Sequence, residues 1–377
     1  MPTRRHAGRL DCETVRLMAR GASHNSGRLA AILAGGLAVL GLAACGTGSR
    51  QATADAPSTT PSTSTTTVTS PGASATPSTT TTTVTTTTTI TTTETVTLPG
   101  AGRPPVTIGD ENTPEEFLLG QLYYQALKAQ GFAVSLNQSI GPTQVIMQAL
   151  ATGQLAMYPE YLDSWDRDVA GLNHSFRTRQ DAYVAGQSYA LAHGLQLLNP
   201  TPFSDTEAIA VSFDYAVEND LQSIGDLDQV ASQLTLGGPP QFQQDPNGLP
   251  QIESAYGVTP ATFKPLEIGG QYQALDQGTV QAAVVNTTDP QLLSGGYPLL
   301  SDPRNVFGWG NVVPVASVQA LNAEGPDFIA TINRVSALLT LPQMRELNGE
   351  VELDNEDPAT VAQQFLQTEG LLPQPAP

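Results

Sequence analysis

Cysteine is almost absent. The 377-residue chain has two, Cys12 and Cys45, both far toward the N-terminus, so no disulfide framework can staple the remainder and no thiolate metal site can form there. Histidine is also sparse, and neither His174 nor His193 has a Cys, His or Asp cluster around it in sequence, which argues against a metal site. Positive charge is scarce too: 16 Lys and Arg stand against 35 Asp and Glu, a net charge of −19. A phosphate polymer or an anionic lipid surface would be repelled, so nucleic acid is excluded as a partner. A Gly-x-Ser-x-Gly elbow, a Walker loop, a dinucleotide fingerprint and a zincin motif are all missing. The adjacent Glu115 and Glu116 point to different faces of a helix and cannot share one substrate bond. The sequence speaks for neither an enzyme nor a resident cofactor.

Long apolar runs are missing as well, with one exception. Residues 29–44 are apolar and small, follow Arg28 and end at Cys45. The run is short for a membrane span, and small residues ahead of the cysteine let a peptidase reach the backbone, so it reads as a signal peptide. Leu42-Ala43-Ala44-Cys45 resembles the bacterial lipobox, which implies a thioether-linked diacylglycerol on Cys45 and cleavage before it. Met18 begins a more usual basic region than residue 1 does. Residues 46–103 are dominated by Thr with Ser, Pro and Ala, including unbroken Thr at 79–83 and 85–89. Such a stretch has little to bury and cannot recover its ordering entropy, which predicts a disordered, extended stalk. The Thr/Val alternation over 82–98 has strand propensity but lacks the larger apolar residues of a packed sheet. Thr and Ser with Pro suggest O-glycosylation, and the stalk would give reach across a cell wall.

From residue 104 the composition turns globular. Val106, Thr107, Ile108 and Gly109 make a short apolar run, a polar stretch follows, and then Leu118, Leu119, Leu122, Tyr123 and Leu127 recur at helical spacing. Thr113, Pro114 and Glu116 supply an N-cap, a first-turn proline and a capping-box acid, and Gly131 stands at the C-terminal end. The grammar repeats as a strand over 132–136, a helix over 143–152 stopped by Gly153, and a strand over 155–158. Farther on, 209–213, 234–236 and 280–285 read as strands. Residues 248–256 and 271–276 read as helices, and 327–341, 342–348 and 358–369 form a helical tail. This alternation predicts βαβ units, mainly parallel sheets and an α/β fold of two lobes with a ligand cleft between them.

Thr107-Ile108-Gly109, Gly141-Pro142-Thr143 and Tyr158-Pro159-Glu160-Tyr161 together resemble the glycine betaine, carnitine and choline binding proteins of ABC importers. Further matches follow in order: Pro202-Phe203-Ser204-Asp205-Thr206, Leu236-Gly237-Gly238-Pro239-Pro240-Gln241-Phe242, Asn247-Gly248-Leu249-Pro250, Ala255-Tyr256-Gly257, Thr287-Thr288-Asp289 and Leu347-Asn348. The resemblance spans about 105–372. It implies a type II periplasmic-binding-protein-like fold, with 104–208 and 311–377 in one lobe and 209–310 in the other, behind a signal peptide (1–45) and linker (46–103). It also implies a monomeric, lipid-anchored carrier of a small molecule on the extracytoplasmic face of the cell membrane. Such a carrier closes about hinges near Ala208 and Asn311, docks on an ABC permease and uses neither metal nor cofactor.

Members of that family surround a quaternary ammonium with tyrosines, because methylated nitrogen has no hydrogen to donate and is best solvated by ring faces. They meet a betaine carboxylate with basic side chains and helix N-termini. Carried over position by position, the resemblance implies ligand contacts at Glu111, Asn112, Thr143, Tyr161, Ser164, Thr206, Glu207, Asp245, Asn286 and Trp309. Tyr161 matches a cage tyrosine and Ser164 a carboxylate-binding hydroxyl. Glu207 and Asn286 stand at the second and third aromatic positions, and the fourth falls at Gly310 beside Trp309. Glu111 replaces a usual lysine and Asp245 a usual arginine, so the site has exchanged cations for anions. One close charge contact is worth about 1–4 kcal/mol, and a zwitterionic betaine is expected to bind weakly. The alternatives are a cationic ligand, choline-like or polyamine-like, held by Glu111, Glu207 and Asp245, or a neutral hydroxyl-rich one held by Asn112, Asn286 and Trp309. A non-transport surface scaffold is the rival class, suggested by the stalk. A hollow shared by the stretches around 110, 161, 207, 286 and 309 would favour the carrier.

Overall fold

The structure, a computed structural model, describes residues 62–66, 84–88, 97–141, 143–172 and 175–374. The signal peptide, Cys12, Cys45, His174 and most of the stalk lie outside these. The chain divides into two units, Met1–Thr93 and Glu94–Pro377. In the first, β1 (Ser62–Thr66) and β2 (Val84–Thr88) pair antiparallel.

The described residues of the second unit form nine strands: β3 (Val106–Gly109), β4 (Val134–Asn137), β5 (Met157–Tyr161), β6 (Leu195–Leu197), β7 (Glu207–Val211), β8 (Thr235–Gly238), β9 (Thr262–Pro265), β10 (Ala282–Asn286) and β11 (Val312–Ser317). They form two sheets, ordered β4-β3-β5-β11-β6 and β7-β10-β8-β9. Strands joined through helices run parallel, β3 with β4 and β5 in the first sheet and β8 with β9 and β10 in the second. The strand that arrives directly from the other sheet runs reversed: β11 is antiparallel to β5 and β6, and β7 to β10.

Both mixed sheets are covered on both faces, as their parallel strands require. Val312 and Ala316 of β11 face a core with Leu118, Leu122, Phe328 and Phe365, while Val313 and Val315 face Ile146, Leu150 and Trp165. In β10, Ala282 and Val284 face one core and Ala283 and Val285 the other. The helix Pro114–Ala129 starts where its cap predicts, with Thr113 Oγ1 accepting from Glu116 N at 3.2 Å, and Gly131 at φ +83° turns the chain away after it. Among the described residues no helix is long and apolar enough to cross a membrane.

Long-range pairing moves several predicted boundaries. The strand expected over 155–158 is Met157–Tyr161, because β11 holds the chain extended from Met157 to Tyr161. Phe213, expected to end a strand, opens the helix Phe213–Glu218, since Ser212 Oγ accepts from Tyr215 N. The helical tail breaks at Thr340, which caps Leu341–Glu352. The helix Arg179–Ala192 is absent from the sequence reading although Thr178 and Asp181 form its cap; its buried side is only Ala182, Gly186 and Ala190, a weak periodic signal.

The chain crosses between the sheets twice, before β7 and before β11, and the two crossings are stitched together. Asp205 N donates to Gly310 O at 2.8 Å, Asn311 Nδ2 to the carbonyls of Thr201 (2.9 Å) and Phe203 (2.8 Å), and Val312 N to Thr201 Oγ1 at 2.9 Å. Asn311 and Thr201 are buried. A Cβ on Gly310 would lie 1.6 Å from Asp205 O, so only glycine allows this approach. Gly310→Ala is therefore expected to force the crossings apart at a cost of about 3 kcal/mol and to lower Tm by roughly 6–12 °C; an unchanged melting curve would show that the stitch bears no load.

Candidate functional site

A cavity of about 660 Å³ opens beside the crossings. One wall follows β5, where the short turn Leu162–Ser164 runs into a π-helical turn, Trp165–Val169, an irregularity frequent at functional sites. Trp165 anchors this turn: it is fully buried and its Nε1 donates to Gly186 O at 3.2 Å. Gly186 makes room, since a Cβ there would meet Asp166 Oδ1 at 2.4 Å and Trp165 Cδ1 at 2.9 Å. The widened turn presents Asp163, Asp166, Arg167 and Asp168 to the cavity, and Glu207 and Asp245 face them from the second sheet and its loops. Phe176, Phe307 and Trp309 supply the aromatic lining, with Trp309 Nε1 donating to Phe176 O at 3.1 Å.

Five carboxylates thus meet one guanidinium, and that guanidinium is engaged: Arg167 Nε and Nη2 donate to the two oxygens of Asp168 at 2.9 Å each. Three of the other acids, Asp163, Asp166 and Glu207, are raised by burial. Burial, with Asp163 beside it, pushes Asp166 up to about 7. Burial, with Asp245 and Asp163 opposite, pushes Glu207 up to about 7. Asp163 is raised by burial, with Arg167 opposing. Among the described residues no group of three or more His, Cys, Asp or Glu is arranged to hold a metal ion.

A smaller cavity of about 240 Å³ shares Glu207 with the first and adds Gln271, Tyr272, Asn286, Asp289 and Glu352. Behind both lies a buried polar layer. Tyr161 Oη donates to Glu115 Oε1 at 2.7 Å, Asn348 Nδ2 donates to Glu115 Oε2 at 2.7 Å and to Thr288 O at 3.3 Å, and Glu160 accepts from Tyr158 Oη at 3.0 Å and Tyr161 N at 2.7 Å. Asp110 is fully buried with Oδ1 accepting from Ser139 N at 2.9 Å. Desolvation dominates every carboxyl here: Glu116 rises to about 9, with Glu111 and Glu160 adding repulsion, Glu160 to about 8 and Asp110 to about 6.

Of the residues singled out in sequence, Glu207, Asp245 and Trp309 line the large cavity, and Asn286 joins Glu207 in the small one. Glu111 lies near enough to Asp168 to be raised by it, after burial. Tyr161 and Ser164 line neither cavity; Tyr161 sits behind, bonded to Glu115, and Ser164 lies on the turn between Asp163 and buried Trp165. Thr206 donates its N–H to Thr287 Oγ1 at 3.0 Å within the crossing. Asn112 is exposed ahead of the first long helix, and Thr143 opens the helix Thr143–Thr152. The sequence reading missed Asp163, Asp166, Arg167 and Phe176. The run Asp163-Ser164-Trp165-Asp166-Arg167-Asp168 was the available signal, but helical periodicity does not forecast a π turn.

Residues 104–368 match the family model described as the substrate binding domain of ABC-type glycine betaine transport systems. The glycine betaine-binding protein YehZ of Escherichia coli is 29% identical over 286 residues, covering 73% of this chain and 93% of that protein. A glycine-betaine-binding protein of Pseudomonas aeruginosa is 27% identical over 278 residues, 70% of this chain and 88% of its own. A solved structure described as a glycine betaine/carnitine/choline ABC transporter superposes with a TM-score of 0.65 at 22% identity over 71% of this chain and 99% of that one. That likeness shows the type II two-lobed fold.

The buried acids set the pH response of the ligand-free protein. Glu116 and Glu160 have folded-state values of about 9 and about 8 against 4.5 for an ordinary glutamate, so the folded state binds more protons than the unfolded chain between those limits. Their contribution is full below about 4.5 and is lost as pH rises through 8 to 9. Tm is expected to be higher at about pH 5 than at about pH 8.5, and Glu116→Gln is expected to flatten that difference. A Tm that rises over this range would contradict the assignment.

Proposed function

The chain belongs to the family of substrate-binding domains of ABC-type glycine betaine transport systems, and from that membership we propose that it is an extracytoplasmic, lipid-anchored carrier that delivers a small organic cation lacking a free carboxylate, of the choline class, to a membrane permease. One observation carries the choice of ligand: the acidic lining of the 660 Å³ cavity, Asp163, Asp166, Asp168, Glu207 and Asp245, set among Phe176, Phe307 and Trp309. Ring faces and carboxylates both stabilise a methylated ammonium, the rings by about 0.5–2 kcal/mol each.

The relatives named for glycine betaine suggest a zwitterion. Among the described lining residues its carboxylate would have only Arg167 to meet, and that fork is held by Asp168. Displacing Asp168 exchanges one carboxylate for another and leaves the other acids facing an added negative charge. The two-lobed division at about 208 and 311, with closure about the stitched crossings, is part of the same proposal, as are the monomeric state and the role of Cys45 as the lipid-bearing residue. Of the sites proposed from sequence, Glu207, Asp245 and Trp309 would then act on the ligand, Asn286 beside Glu207 in the smaller cavity, and Tyr161 with Glu115 in setting closure, while Glu111, Asn112, Thr143, Ser164 and Thr206 line neither cavity.

Isothermal titration is expected to give choline an affinity at least about tenfold above that of glycine betaine, roughly 1.4 kcal/mol. Choline affinity should rise with pH through about 7, because Asp166 and Glu207 release protons as the cation enters. Betaine binding more tightly than choline would overturn the ligand assignment and leave the family standing. Replacing Cys45 by Ser should move the protein from the detergent phase to the aqueous phase in phase partitioning; retention in the detergent phase would remove Cys45 as the anchor.

A further inference from the structure

The smaller cavity has features that a methylated ammonium does not use. Gln271, on the helix Gln271–Asp276, is 6% exposed and lines the cavity, yet its Oε1 has no hydrogen-bond partner. The Oε1 of Gln291, which also lines the cavity, is likewise buried and unpartnered. Acceptors left unpaired in a protein interior are costly, and each one in a folded protein calls for an explanation. Around them stand the carboxylates of Glu207, Asp289 and Glu352, with no Lys or Arg among the described lining residues. Asp289 is held in place by Tyr272 Oη at 2.8 Å and by Asn286 N at 3.2 Å. Arg345, the cation that acts on Asp289 from outside the lining, has its Nε engaged by Thr287 O at 2.8 Å.

Unpaired acceptors with an excess of anions call for a cation that carries hydrogen-bond donors. A quaternary ammonium has none, whereas a primary ammonium has three. Glu207 lines both cavities, so its carboxylate is available to a cation in either. We propose that the smaller cavity is a subsite for a primary ammonium group, and that the two cavities together fit a short linear diamine or polyamine with one ammonium on each side of Glu207. This rests on the larger cavity being the ligand cleft.

The test is titration of the full chain with tetramethylenediamine, n-butylamine and choline at one pH, followed by the same titrations on Gln271→Leu and Glu352→Gln. The diamine is expected to bind about tenfold or more tightly than the monoamine. Each substitution is expected to weaken the diamine by about fivefold or more and to leave choline within about twofold. Diamine and monoamine binding alike, or a tight diamine indifferent to both substitutions, would overturn the subsite; retained choline binding in either case leaves the reading of the larger cavity intact. If none of the three compounds binds, both fall. Should Gln271→Leu fail to fold, Glu352→Gln decides alone, because Glu352 is an exposed residue at a helix end.

Discussion

Carboxylates withdrawn from water without enough cations to pair them are the constraint on which the rest of this molecule depends. A buried carboxylate is tolerated only when it is protonated, hydrogen-bonded or faced by a cation. Glu115 is held by Tyr161 and Asn348, Glu160 by Tyr158 and the Tyr161 N–H, and Asp110 by Ser139 N. Glu116 keeps one oxygen without a partner and is raised furthest among those with a resolved value. Protonation therefore does for this interior what arginine and lysine do elsewhere.

The same layer ties the two sheets together. Thr288 follows β10 of the second sheet, Asn348 lies on a helix packed with the first, and Glu115 and Tyr161 belong to the first sheet and its leading helix; hydrogen bonds join them into one network. Beside it the crossings are fixed by Gly310 and Asn311. A rigid-body rotation of one sheet against the other bends the crossings and must rearrange these bonds, so closure and the charge state of Glu115 are coupled through shared partners. Asp205, raised by burial and by Glu115, lies on the crossing itself. On the proposed closure about the crossings, a change in cleft charge would be felt where the chain passes between the sheets.

Local signals carried much of the architecture. Thr113, Pro114 and Gly131 mark a helix whose ends the structure reproduces, and alternation of strand with helix announces the parallel pairs of both sheets but not the antiparallel strands β7 and β11. What was not legible depends on contacts between segments far apart in sequence. β11 has six buried residues and reads as a strand only once β5 and β6 flank it. Glu207, Asp245 and Trp309 were reachable by matching motifs, because each stands in or beside a recognisable run. Asp166, Arg167 and Phe176 enter the wall through a π turn that exists because Gly186 admits Asp166 and Trp165. A geometry set by one glycine on a distant helix leaves no periodic trace.

Glu207 joins these threads. It lies at the start of β7, directly after the crossing, and it belongs to both cavities. With a value near 7, it is divided between neutral and charged forms close to neutrality, so the ligand-free cleft avoids the full cost of facing Asp163 and Asp245 across a low-dielectric gap. A cation entering beside it displaces the proton and turns repulsion among the acids into attraction toward the ligand. An anion or a zwitterion's carboxylate has the opposite effect, since it favours the protonated form and weakens the pull on its own ammonium end. For the cationic ligand proposed above, selectivity would follow from the proton that the site holds before the ligand arrives, with the aromatic rings setting the shape.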